Sequence, residues 1–316
     1  MLADEQIAFF RTQGYLIVRG LLDVQACEGV RARMWEDLPA RVRDRLQANP
    51  VGPFAPAEES TDSVRFRQGY RWLNRALGVS PAVIDLIYGE AVQSIAAQLL
   101  GGTLRAVTQD GVPMGSRGPA WPDGPVDPAL GTEAARGVYC TLPYGDVPKQ
   151  PPSCHTDGHP MQLGVVGLLA DIGPDGGAFT VWPGSHARLF PLCALRYDQP
   201  RIPYYDHLPS LRGIVHSPAY LAEVARLNRD GPAVACHGRA GDVVFWHHRL
   251  AHMAGHNYGD SIREAVLADF WRTDFDALRC QPVSVDMWAD WSEAVRSSDG
   301  VYSAAFAASQ GLPGGV

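Results

Sequence analysis

Lysine is almost missing from this sequence: of its 27 Lys and Arg residues, Lys149 is the only lysine. The arginine bias runs through the whole chain together with alanine and glycine. An isolated arginine is therefore weak evidence of a site here, and only arginines tied to a motif count. Blocks of basic charge are also missing. With 34 acidic residues and a formal net charge of -7, the balance speaks against a nucleic-acid partner. No run of about 18 apolar residues occurs, so no membrane span is expected. The opening Met1–Gln6 has neither the basic segment nor the apolar core of a signal peptide. The six cysteines form no CxxC pair, and we expect free thiols in a reducing cytoplasm. What is left is a 316-residue chain with an ordinary 46% hydrophobic fraction, long enough for two domains or one large one.

Local signals give the outline. Asp4–Gln13 reads as a helix with Ile7, Phe9 and Phe10 on its apolar side, capped by Ala3 or Asp4 and stopped by Gly14. Tyr15–Val18 follows as a strand, and Asp23 caps a second helix. Residues 49–61 are rich in Pro, Gly and Ala and read as a loop. Ser80-Pro81 starts a helix to about Tyr88 with proline at its first position. Glu90–Leu100 is another helix, ended by Gly101-Gly102. From Thr103 the pattern turns to short strands between turn residues: 104–108, 137–142, 161–169, 178–182, 233–236, 242–246 and 263–270. Residues 113–133 read as a long loop, 217–228 as a helix, and 285–295 as a last helix. Residues 188–213 carry prolines and tyrosines without a clean period, the character of a lid. Helices followed by many short strands predict a mainly β fold with α: a barrel or double-sheet jelly roll with a helical N-terminal layer. We expect one domain over 1–316, with the helical layer at 1–102, the jelly-roll core at 103–275 and a C-terminal extension at 276–316.

The chemistry centres on His155-Thr156-Asp157. Side chains two apart on an extended segment share a face, so this stretch can present an imidazole and a carboxylate to one point. Both suit a borderline divalent metal such as Fe(II). Downstream, Gly241-Asp242-Val243-Val244-Phe245-Trp246 reads as a turn and a buried strand, followed by His247, His248, His252 and His256. A third ligand would complete a two-histidine-one-carboxylate triad, which leaves positions open for a cosubstrate and O2. We choose His252, because Arg263 lies 11 residues on, across a turn containing Asn257, Gly259 and Asp260. A hairpin of that size can bring the imidazole and the guanidinium into one cavity. Arginine is also the natural two-pronged partner for a remote carboxylate.

Four pieces in this order resemble the phytanoyl-CoA dioxygenase family of Fe(II)/2-oxoglutarate-dependent oxygenases. They are Gln13–Gly20, His155-Thr156-Asp157, Gly176-Gly177 leading to Trp182-Pro183-Gly184-Ser185-His186, and Gly241-Asp242 through His252 to Asn257 and Arg263. The resemblance implies a double-stranded β-helix of the cupin-like, jelly-roll kind. It implies His155, Asp157 and His252 as iron ligands, Arg263 on the distal carboxylate of 2-oxoglutarate, and O2 as second cosubstrate. The family often has a hydroxyl residue two after the distal histidine, where Ala254 stands here. Related halogenases lack the carboxylate ligand; Asp157 disfavours that chemistry.

Other residues have weaker claims. Tyr139 and Thr141 alternate on one strand, and a hydroxyl there is a candidate for the cosubstrate carboxylate, against a plain core role. His159 and His256 are alternative ligands or acid/base groups, and His248 is an alternative third ligand. Gln109 and Trp246 are candidates for a substrate wall. His186 reads as structural, and Cys154 as packing rather than a nucleophile. The expected activity is hydroxylation, desaturation or cyclisation at an unactivated C–H of a small metabolite, with release of succinate and CO2. The loop at 188–213 holds Arg188, Arg196, Arg201 and Arg212, which the compositional bias discounts as a site for CoA phosphates. Two other classes stay open: a ligand-binding protein on the same barrel, and a zinc hydrolase using the same triad with a bound water.

Overall fold

Gly14 ends the first helix at φ +80°, a conformation glycine adopts without strain, and turns the chain straight into the sheet. The helix is Asp4–Gln13 (α1), with Gln6 reaching back to the Ala3 N–H, and the strand is Tyr15–Val18 (β1). In the computed structural model the described residues are 1–54, 64–67, 70–78, 80–106, 108–109, 112–113, 135–157, 161–197, 217–278 and 281–312. Helices Val24–Glu36 (α2) and Ala40–Ala48 (α3) come next. The Asp23 carboxylate caps α2 by accepting from the Ala26 N–H at 2.7 Å. Strands Val64–Arg67 (β2) and Arg71–Asn74 (β3) then form a hairpin. Helices Pro81–Ile87 and Glu90–Leu100 follow, the first capped by Ser80.

The later strands are Thr108–Gln109 (β4), Val112–Pro113 (β5), Ala135–Thr141 (β6), Leu163–Leu168 (β7), Phe179–Val181 (β8), Val234–Ala235 (β9), Val243–His247 (β10), His252–Ala254 (β11) and Arg263–Phe270 (β12). They make a seven-stranded antiparallel sheet, β1-β10-β7-β12-β6-β3-β2, and a three-stranded one, β11-β8-β9, with β4 and β5 paired alone. The two sheets meet through Trp246 of β10, which packs on Phe179 of β8 and 5.7 Å from the His252 ring of β11. This is the jelly-roll arrangement, with helices on the outer face of the large sheet. There Gly167 lies against Leu22 and Ile87, while Glu264 accepts from Arg31 and from the Trp35 indole.

Differences from the sequence reading are local. β1, β2 and β3 all join the large sheet, so the N-terminal segment supplies strands as well as helices. The strand expected over 104–108 is not continuous: Leu104 makes one isolated bridge to Arg272, residues 105 and 106 are outside any strand, and Thr108 opens β4. In place of a helix over 285–295, only Glu293–Ser297 is helical, capped by Ser292. Its approach carries Trp288 and Trp291, which pack on Phe10. The Gln310 side chain lies along the outer edge of β1, accepting from the Ile17 N–H at 2.7 Å and donating to the Ile17 carbonyl at 3.2 Å.

Candidate metal centre

His155 and His252 converge because their backbones pair. The His155 N–H donates to the His252 carbonyl at 3.0 Å, and the His252 N–H returns the bond at 2.9 Å. Residues paired in this way point their side chains to one face, and the ring centres stand 4.8 Å apart. Asp157, two residues on, brings its carboxylate between them: Oδ1 is 3.5 Å from His155 Nε2, and Oδ2 is 3.4 Å from His252 Nε2. One donor atom from each of His155, Asp157 and His252 lies within 4.8 Å of the others. His252 Nδ1 is 2.8 Å from the Leu250 carbonyl. Donating there leaves the Nε2 lone pair facing the centre, the arrangement that orients metal-binding histidines.

The carboxylate is held ionised. Burial opposes charge at Asp157, but the Arg136 guanidinium and the two imidazoles outweigh it and keep the carboxyl well below its ordinary value. Arg136 Nη1 donates to Asp157 Oδ2 at 2.5 Å, and its Nε and Nη2 donate to Asp269 at 2.8 and 2.6 Å. The sequence reading missed Arg136, since isolated arginines were discounted. Its position in an otherwise apolar strand three residues before Tyr139 is the signal that marks it.

The turn carrying the triad is braced from outside the barrel. Helix Pro218–Asp230 places Tyr220 against the Thr156 hydroxyl and Asn228 Oδ1 at 2.6 Å from the Cys154 N–H. Cys154 sits with Trp182, Leu189 and Leu227 in a small apolar cluster, and burial pushes its thiol up to about 11. That fits packing rather than nucleophilic chemistry.

Arg263 starts β12 directly opposite Thr141 of β6, which in turn stands opposite Arg71 of β3. Tyr139 lies two residues before Thr141, so the register puts Tyr139, Thr141 and Arg263 on the inner face. Arg263 is 3% exposed. Its Nη1 donates to the Tyr139 carbonyl at 3.1 Å, and its Nε has no partner among the described residues. Burial pushes the guanidinium down to about 10; Cys140 opposes that shift and Arg71 adds to it. Asn257 fixes the turn that delivers this arginine, donating to the carbonyls of Thr141 and Ser261 and accepting from the Gly259 N–H.

The remaining candidates separate from the triad. His247 is buried on the outer side, stacked on Trp291 at 5.0 Å, and burial drives its basicity well below the usual imidazole value. His248 bonds the Arg196 carbonyl through Nε2 and packs on Tyr197, so it faces away from Asp157. His186 is buried under Gly14 and bonds the Arg11 carbonyl, a structural position. His256 packs on Tyr144 and Tyr258 instead of joining the converging donors. Trp246 does line the interior. His159, the Gln109 side chain, Cys280 and residues 114–133 of the long loop lie outside the described residues. So do residues 198–213 of the expected lid; the segment before them is packed, with Leu189, Phe190 and Tyr197 buried.

Comparison with known proteins finds one family-model match and several distant structural likenesses. Residues 138–265 match the model of the phytanoyl-CoA dioxygenase (PhyH) family. Among solved structures, the non-heme alpha ketoglutarate dependent carbocyclase SnoK from nogalamycin biosynthesis is 21% identical. The match covers 90% of this chain and 95% of that one, with a TM-score of 0.49. EctD from S. alaskensis is 17% identical over 90% of this chain and 81% of its own, at 0.46. HygX from Streptomyces hygroscopicus, solved with nickel and 2-oxoglutarate, is 14% identical over 86% and 88%, at 0.44. No curated protein matches the sequence. The matched stretch contains His155, Asp157 and His252, two imidazoles and an ionised carboxylate converging on one point, and also the buried Arg263. That donor set fits a divalent iron and a dicarboxylate. The stretch that matches the phytanoyl-CoA dioxygenase family model thus carries all three converging donors, on a barrel of two antiparallel sheets.

Proposed function

We propose that the protein is a dioxygenase that oxidises an unactivated C–H bond of a small molecule, by hydroxylation in the first instance, while 2-oxoglutarate is converted to succinate and CO2. His155, Asp157 and His252 hold the iron. Arg263 pairs with the distal carboxylate of 2-oxoglutarate, and Tyr139 and Thr141 form the wall beside it. The whole chain acts as one functional unit, with 1–102 and 276–316 supporting the barrel.

One observation carries this reading: a nearly fully buried arginine whose Nε is left without a partner, on the inner face of the barrel that also holds the triad. Burying a charge without a counter-charge is costly, and a carboxylate fork matches the arginine fork. When bound, the iron with 2-oxoglutarate and O2 supplies the oxidising power. The chain supplies the rest. Arg136 favours the ionised form of Asp157, the Leu250 carbonyl sets the His252 tautomer, and Trp246 and Phe179 pack against the His252 ring.

The zinc-hydrolase reading has no use for Arg263, and a pure binding protein has no use for three converging donors. A small metabolite is favoured over a CoA thioester. Of the four arginines in the 188–213 stretch, Arg188 is engaged by Glu223 and Arg196 by Asp290. The test is succinate release from 2-oxoglutarate, with Fe(II), across a panel of candidate substrates. Stimulation by one substrate is expected. Turnover with Zn(II) and no dependence on 2-oxoglutarate would replace the oxygenase with the hydrolase.

A further inference from the structure

Arg136 has no part in the chemistry just described, yet it touches the centre. It leaves β6 at the point where the pairing with β12 shifts register between Leu267 and Ala268. Such an irregularity re-aims a side chain, and here the guanidinium turns inward, 5.7 Å from the centre of the Trp246 ring. Two of its nitrogens grip the two oxygens of Asp269, a 1% exposed residue of β12. Arg136 and Asp269 together make a neutral pair, so they add no net charge beside a bound cation. What remains is directional: the Nη1 donor, fixed by the grip on Asp269, is aimed at Asp157 Oδ2.

A carboxylate with both oxygens free can turn and chelate an ion through both. Asp157 does not have that freedom, because one oxygen is committed to a guanidinium that cannot follow it. We propose that Arg136 is a positioning residue: braced by Asp269, it holds the Asp157 carboxylate so that a single oxygen is offered to the metal, which preserves coordination positions for 2-oxoglutarate. The proposal rests on the triad reading above. It differs from general scaffolding in its signature. Loss of scaffolding weakens metal and cosubstrate together, whereas a released carboxylate keeps or tightens its hold on the metal and shuts out the chelating cosubstrate.

The test uses anaerobic full-length protein and two probes, Ni(II) alone and 2-oxoglutarate added to the Ni(II)-loaded protein, titrated calorimetrically. The Arg136→Gln/Asp269→Asn double variant keeps the pair's net charge and removes the directed donor. Ni(II) affinity is expected to hold or rise, while 2-oxoglutarate affinity falls roughly 10- to 100-fold, the scale of lost outer-shell contacts to a ligand. Arg136→Lys keeps the charge but has no fork to bridge both acids; it is expected to move 2-oxoglutarate affinity the same way, and it serves if the double variant does not fold. Unchanged 2-oxoglutarate affinity in both variants, or equal loss of both affinities, overturns the proposal. Wild-type protein that binds no Ni(II) overturns the functional reading itself, a separate outcome.

Discussion

Strand β12 has two ends with opposite electrostatics. Arg263 opens it and Asp269 stands near its close, roughly 20 Å away by strand rise. At the Asp269 end the buried cation is Arg136, and every guanidinium nitrogen has a partner. Burial works against its charge, but Asp157 and Asp269 outweigh burial and raise its basicity well above normal. At the Arg263 end the described residues offer one carbonyl and no carboxylate. Burial there lowers the guanidinium to about 10. A charge that the fold satisfies is part of the fold. A charge that the fold buries and leaves short of partners is a candidate for meeting something that arrives, and this difference is why the ligand is proposed to meet Arg263 rather than Arg136.

The most severe way to break this contrast is to remove the centre between the two ends. His252→Ala should abolish Ni(II) binding and turnover, as should His155→Ala and Asp157→Ala, while His248→Ala keeps both. The reverse pattern for His252 and His248 in calorimetry would reassign the third ligand. Next comes Arg263→Ala. Loss of such a buried pair costs roughly 3 to 5 kcal/mol, about two to three and a half decades of 2-oxoglutarate affinity, with Ni(II) affinity unchanged. Arg263→Lys should recover part of it, since a point charge cannot reproduce the two-pronged bond. Equal affinity in wild type and Arg263→Ala would take the cosubstrate role away.

Stability sharpens the same contrast. In metal-free protein, Arg136→Met removes the guanidinium held between Asp157 and Asp269 and should cost about 3 to 5 kcal/mol in denaturant titration. Arg263→Met removes an ill-satisfied charge and should leave stability equal or higher. Similar losses at both positions would erase the distinction. The smallest effect is expected at Tyr220→Phe, which removes one hydrogen bond to the Thr156 hydroxyl. A loss of about 0.5 to 1.5 kcal/mol in stability is anticipated, with a modest weakening of Ni(II) binding. No change in either quantity would mean that the helix carrying Tyr220 does not brace the triad.

Much of this was legible in the sequence where local chemistry decides structure. Gly14 stops α1, Asp23 and Ser80 cap their helices, and the apolar run of β12 reads directly as a buried strand. His155 and Asp157 shared a face by strand periodicity alone. β2 and β3 were missed although Val64-Arg65-Phe66-Arg67 alternates apolar and charged residues, because four residues are too few for the period to stand out. The helix expected over 285–295 forms only from Glu293, and before it Trp288 and Trp291 make tertiary contacts with Phe10. Arg136 was lost to the compositional argument. An arginine-rich chain makes each one uninformative until a strand register aims it, and that register depends on contacts 133 residues apart.

Gln310 has a consequence beyond its two bonds to Ile17. Among the described residues β1 is the outermost strand of the large sheet, next to β10 and with no strand on its other side. An open strand border is a template on which a second chain can add its own strand. The primary amide of Gln310 copies the donor and acceptor of a peptide group and fills that border at its middle. The segment around helix Ala304–Ser309 thus works as a gatekeeper against edge-to-edge growth, a safeguard on solubility rather than on catalysis.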